Sequence, residues 1–197
     1  MKFKIWSRNY EYRDLTDVRP FQLNELLGIW SRSASEGIPR QSDISPGDLK
    51  EYAGNIALVD IKQEPSRARY LIVGKNLKKL LGKDPTKRNI EDVYPPSIAR
   101  EVYEAFGKVV RSRKPSYYQR NFVVLGRSFG YFRLILPMTT ADETINRLLI
   151  GIYPTDENLT EARTWQSAVI DFYRRKKEVD AQEQADIGDI WTSTLDL

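Results

Sequence analysis

The stretch RYLIVGKNLKKLLGKD, Arg69 to Asp84, decides how the chain is read. It begins as an apolar run, passes Gly74-Lys75, and continues as a lysine-rich segment whose Leu77, Leu80 and Leu81 share one helical face. Strand, glycine and basic helix are also the parts of a phosphate-binding turn. A P-loop, however, needs a longer glycine turn ending in Lys-Ser/Thr, because several backbone N–H groups surround the phosphates and a hydroxyl meets Mg²⁺. Here one glycine is followed by Lys-Asn-Leu, and the three glycines of a dinucleotide fingerprint are absent. The spacing predicts instead a strand ending at Gly74, a cap at Asn76, and a helix of about one and a half turns stopped by Gly82.

Working outward, residues 55–61 and 68–73 are rich in Ile, Val, Leu and Tyr, and KQEPSR between them predicts an antiparallel hairpin. Upstream, Phe21, Leu23, Leu26, Leu27 and Trp30 lie at helical spacing and predict a helix over 20–33. Ser45-Pro46-Gly47-Asp48 reads as the start of a short helix reaching about Tyr52, and residues 1–19 read as an arm. Downstream, residues 84–96 form a loop with one turn near 90–93. Ile98, Val102, Ala105, Phe106 and Val109 then give the strongest helical signal in the chain, ended by Lys114-Pro115. Residues 116–125 and 131–137 predict a strand pair joined by GRSFG, and 146–153 a last strand. From Asn158 a capping-box pattern opens a helix carrying Ala162, Trp165, Val169 and Phe172, closed by RRKK.

Composition narrows the function classes. With 197 residues, 41% hydrophobic and 29% charged, the chain suits one medium domain with extensions, or two small ones, around a real core. No apolar run approaches the roughly 18 residues of a membrane span, and the charge-interrupted N-terminus lacks a signal core, so a cytoplasmic protein is expected. Cysteine and histidine are both absent. That excludes disulfides, His-ligated haem, the usual His/Cys zinc sites, Ser-His-Asp or Cys-His catalysis and a cysteinyl-flavin adduct. The net charge of +4 hides an asymmetry: residues 62–88 hold nine Lys/Arg and two acids, whereas 178–197 hold six acids and no base. A solvated basic face and a frayed acidic tail are the common meaning of such runs; a site for a phosphate-bearing partner is the sharper one.

Two strands, a short helix, a loop-helix, a long helix and three strands would form one five-stranded antiparallel sheet with helices on one face, an α+β fold. In this order the chain resembles the PAS family. NLKKLLGKD looks like the PAS segment in which an Asn-containing turn precedes a helix ending in Gly. Trp30, Gly37-Ile-Pro-Arg40 and Asp43-Ile-Ser-Pro46 resemble a bacterial group of small stand-alone PAS proteins with a tryptophan helix followed by P-x-R-x-D-[IF]-D-P. Gly130–Met138 resembles that group's strand ending in Leu-Pro-Leu. Departures are two residues between Arg40 and Asp43 where the group has one, Ser45 in place of Asp, and Ala141-Asp-Glu143 in place of Asp-Gly. The resemblance spans roughly 21–154 by element order and spacing. It divides the chain into an N-terminal arm and helix (1–33), a PAS-like domain (34–154) and a C-terminal helix with an acidic tail (155–197).

The resemblance implies a ligand pocket between the inner sheet face and the middle helices, without naming a ligand. Polar residues set in apolar surroundings there are the candidates: Tyr70, Tyr94, Tyr103, Arg120 and Arg133. Strand alternation puts Tyr118, Arg120 and Phe122 on one face, and Arg133 with Ile135 on one face of the next strand. A buried arginine would need an anionic partner. The blander arrangement has both arginines in solvent and the tyrosines as ordinary core. For a partner surface the candidates are Lys75, Lys78, Lys79 and Lys83 on the short helix, and Trp30, Trp165 and Phe172 on the flanking helices, which in PAS-like domains often pair across a homodimer. The function expected is bacterial sensing or interaction through a ligand or protein partner, with no catalysis and no metal. A nucleic-acid or nucleotide-phosphate binder using residues 62–88 is the alternative, with Tyr117 and Tyr118 to stack on bases. A small histidine-free enzyme on a similar cone-shaped fold is the third class.

Overall fold

A computed structural model describes residues 6–12, 15–34, 37–61, 67–124, 127–141, 143–155 and 174–182. The strands are β1 (Trp6–Tyr12), β2 (Ile56–Ile61), β3 (Ala68–Val73), β4 (Ser116–Val124), β5 (Arg127–Met138) and β6 (Arg147–Pro154). They form one antiparallel sheet in the order β1-β4-β5-β6-β2-β3. The helices are α1 (Phe21–Ser33), α2 (Lys75–Leu81), the single turn α3 (Ile90–Val93) and α4 (Pro96–Ser112). Residues 174–182 are also helical.

The α+β sheet stands, with one strand more than expected. The supposed arm contains β1, whose seven residues pair antiparallel with β4 from Trp6↔Val123 to Tyr12↔Tyr117. Its polar and aromatic residues suit an edge strand, and at its end Tyr12 stacks on Tyr117, ring centroids 4.9 Å apart. Glu11 ties the strand to α4 and β4 through Lys108 and the Ser116 hydroxyl.

Both faces of the sheet are covered. On the front, Ala57, Val59, Tyr70, Tyr131, Ile135, Leu148 and Ile150 meet α2, α3 and the Ile98–Val102–Ala105–Phe106–Val109 stripe of α4. On the back, Ile56, Tyr117, Leu134, Leu136 and Leu149 meet Leu23, Leu26, Ile29 and Trp30 of α1. Gly151 makes that approach possible, since a Cβ there would lie 2.5 Å from a Leu23 methyl and 2.8 Å from a Leu26 methyl. The buried Tyr117 hydroxyl fixes the chain before α1 by donating to the Arg19 carbonyl (2.8 Å) and accepting from its N–H (3.1 Å). Phe21, expected on the apolar stripe of α1, is exposed at the helix start.

The expected helix after Ser45 is a series of turns, with i→i+3 bonds from Asp48 N to Ser45 O and on to Asn55 N to Tyr52 O. The Ser45 hydroxyl does cap, but only the Gly47 N–H (3.1 Å). The chain must reverse here to enter β2, and consecutive turns do that where a helix would carry it past.

Candidate functional site

The Arg69–Asp84 stretch folds as most of β3 followed by α2. Gly74, not Asn76, is the N-cap of α2, in extended conformation and with no side-chain cap. Its lack of a Cβ is a packing requirement: a Cβ would lie 2.2 Å from Ala53 O and 2.4 Å from Gly54 O. The helix's first N–H groups are already taken, since Asn76 N donates to Gly54 O (2.9 Å) and Leu77 N reaches the same carbonyl (3.4 Å). A backbone carbonyl thus fills the place a phosphate would need. The Asn76 amide donates instead to Asn55 Oδ1 (2.7 Å), and Asn55 Nδ2 to Ile152 O (2.9 Å), joining α2 to the sheet. Gly82 ends the helix in the left-handed region, φ 66°, as glycine can without penalty.

Behind α2 a cavity of about 40 Å³ lies between the front face and α2–α4. Leu77, Leu80, Leu81, Val102, Phe106 and Ile150 give it apolar walls. Its polar residues are Tyr70, Tyr94, Tyr131, Arg120 and Arg133. The hydroxyls of Tyr70 and Tyr94 are 2.9 Å apart. Burial, then Tyr70, raises the Tyr94 phenol well above its ordinary pKa, so it stays neutral and able to donate. Arg120 is 4% exposed and pairs with Glu101 of α4 at 2.8 Å. The Arg133 Cζ lies 5.1 Å from the Tyr118 ring centroid, and its buried Nε has no hydrogen-bond partner among the described residues.

Four of the five pocket candidates therefore line one cavity. Tyr103 does not: it packs against the edge of the front core, its hydroxyl bonded to Glu91, with its pKa raised by burial and then by that carboxylate. The solvent-facing arrangement is wrong for Arg120, whose guanidinium is buried by α4. Sequence reasoning missed Tyr131 and Glu101. Tyr131 lies opposite Arg120 in the β4–β5 register and shares a face with Arg133, so strand alternation would have found it. Glu101 carried no local signal.

The partner-surface candidates separate. Trp30 is buried at 8% exposure and donates its indole N–H to Pro137 O at 2.7 Å, so it is core of the sheet's back face. Lys78 pairs with Asp84 at 2.7 Å, and Lys83 donates to Val93 O at 2.6 Å. Lys75 and Lys79 are exposed. Trp165 and Phe172 lie outside the described residues. One contact was not foreseen: Asp180, 7% exposed, accepts from Ser97 N (3.1 Å) and Ser97 Oγ (2.9 Å), so the 174–182 helix caps α4 from outside.

A family model described as "PAS domain" matches residues 18–153, from just before α1 into β6. The chain belongs to the PAS domain family. PAS domains are generally sensory and signalling modules that often bind small ligands or mediate protein interactions. Among solved structures, the PAS domain of Bordetella pertussis BvgS is similar at 17% identity and a TM-score of 0.45, over 60% of this chain and 89% of that one. An RNA-binding light-oxygen-voltage receptor is similar at 12% identity and a TM-score of 0.37, over 94% of this chain and 45% of the receptor. A search of curated proteins gave no match. Around the PAS domain, β1 and residues 174–182 lie outside the matched segment. No helix among the described residues is long and apolar enough to cross a membrane, and no cluster of acids among them could hold a metal ion.

Proposed function

We propose that this PAS domain is a sensory module that acts by binding, without a catalytic step. A small molecule enters the front-face cavity and shifts the packing of α2–α4, and a protein partner reads that shift through the flanking segments. One observation carries this reading: apolar walls with Tyr70, Tyr94, Arg120 and Arg133 converging on one cavity, the usual make-up of a ligand site. The shift needs only a ligand that favours one packing over another. The partner surface is assigned to the flanking segments, 1–33 and 155–197, with a second copy of the chain as the first candidate.

Native mass spectrometry of protein purified from its own host tests both halves. The expected spectrum shows a retained small molecule and a species heavier than the monomer. An empty monomer that also gains no thermal stability from any member of a small-molecule library would overturn the reading.

A further inference from the structure

We infer that the ligand of this cavity is a small organic monoanion, a carboxylate on a short apolar body, held by Arg133. The inference rests on the cavity being a ligand site, and it follows from charge accounting inside it. Two arginines line the cavity, and they are not equivalent. Arg120 has its counter-charge, with Glu101 Oε2 at 2.8 Å. Arg133 has none among the described residues. Its Cζ lies over the Tyr118 ring, 5.1 Å from the centroid, a contact that supplies the guanidinium N–H groups with no hydrogen-bond acceptor.

A guanidinium cannot shed its charge, so a partly buried one keeps its demand for acceptors. Arg133 Nε shows the demand unmet, since it is shielded from solvent and has no hydrogen-bond partner among the described residues. A carboxylate accepts in the same planar, two-pronged geometry that a guanidinium donates. Tyr94, its phenol kept neutral by burial and hydrogen-bonded to Tyr70, feels the Arg133 charge across the same cavity.

The remaining features fix the class. One unpaired cation balances one negative charge, which favours a monoanion over a phosphate dianion. Leu77, Leu80, Val102, Phe106 and Ile150 offer an apolar body only dispersion and burial. A cavity of about 40 Å³ has room for little more than a water, so the body is short and its binding displaces a wall. α2 is one of those walls, through Leu77, Leu80 and Leu81.

The test is calorimetric titration of the full chain, at neutral pH, with butyrate, hexanoate and benzoate, each against its neutral amide of the same shape. The wild type is expected to bind at least one acid about tenfold or more tightly than its amide. Arg133→Met should bring acid and amide within about twofold of each other, while Arg133→Lys keeps part of the preference. If the amides bind as well as the acids, the anion assignment is overturned and the cavity remains a ligand site. If acids, amides and the neutral probes toluene and indole all fail to bind, the ligand-site reading itself falls, and this inference with it. The wild-type comparison needs no variant to fold.

Discussion

Replacing Gly74 with alanine tests whether the glycine that looked like part of a phosphate turn is held there by packing alone. The added Cβ would sit 2.2 Å from Ala53 O and 2.4 Å from Gly54 O, both backbone atoms with no rotamer to yield. Ordinary contact requires the 53–54 backbone to retreat by about 1 Å. That backbone is pinned: Gly54 O accepts from Asn76 N and Leu77 N, Gly74 N donates to Ile56 O at 2.9 Å, and Asn55 O accepts from Ile152 N at 3.0 Å. Losing two or three such bonds at about 1 kcal/mol each, plus about 1–2 kcal/mol of residual strain, gives a destabilisation of roughly 3–5 kcal/mol. Gly28 provides the contrast. It lies inside α1, and its new Cβ would meet only the end of the exposed Arg32 side chain, at 3.1 Å. Gly28→Ala should therefore stabilise by about 0.5–1 kcal/mol through helix propensity. Urea unfolding followed by tryptophan fluorescence reads both, with unchanged m-values expected. A Gly74→Ala protein within about 1 kcal/mol of wild type would refute the packing account.

Asp180→Ala removes the acceptor for Ser97 N and Oγ and should release the 174–182 helix at a local cost of about 1–3 kcal/mol, seen as faster amide exchange there. Glu101→Gln leaves the nearly enclosed Arg120 without its counter-charge and should cost about 1–2 kcal/mol in the same urea assay, discounted because Glu101 itself is partly exposed. Trp30→Phe strands Pro137 O and should cost about 1–3 kcal/mol, again read as a lower urea midpoint. Burial pushes the Tyr117 and Tyr153 phenols up to about 12, so the folded chain holds protons that the unfolded chain releases near 10. This contribution is complete below pH ~10 and is lost as pH rises through ~12, so the urea midpoint should fall between pH ~10 and ~12.

How much of this was legible depends on whether a feature is local. The α4 stripe from Ile98 to Val109 is a single periodic pattern that fits one surface, and all five residues are buried as the spacing implies. The strand pairs were legible for the same reason. Edge strand β1 was not, because in WSRNYEY the aromatic side of Trp6, Tyr10 and Tyr12 is interrupted by Arg8, too short a pattern to stand out before it pairs with β4. Trp30 shows the opposite limit: helical spacing says that a face is apolar, but it cannot say whether a partner or the chain's own sheet covers it. In the cavity, strand parity placed Arg120 and Arg133 on common faces, yet which face is buried depends on α4, whose Glu101 meets Arg120 from a different element. The Asp180–Ser97 contact joins residues 83 apart, with no trace in the local pattern of either.

β1 has a further consequence for where the chain can be cut. By covering β4 it moves the sheet's open edge outward by one strand, and it does so with a segment that precedes the PAS match at residue 18. A fragment trimmed to the matched boundaries would keep its core but bare β4 from Tyr117 to Val123, whose unpaired N–H and C=O groups form a template for another chain. Such a fragment should associate through that edge, or borrow the β1 of a full-length neighbour by strand exchange. Dimers made by trimmed fragments would then report the cut and not the assembly of the whole protein.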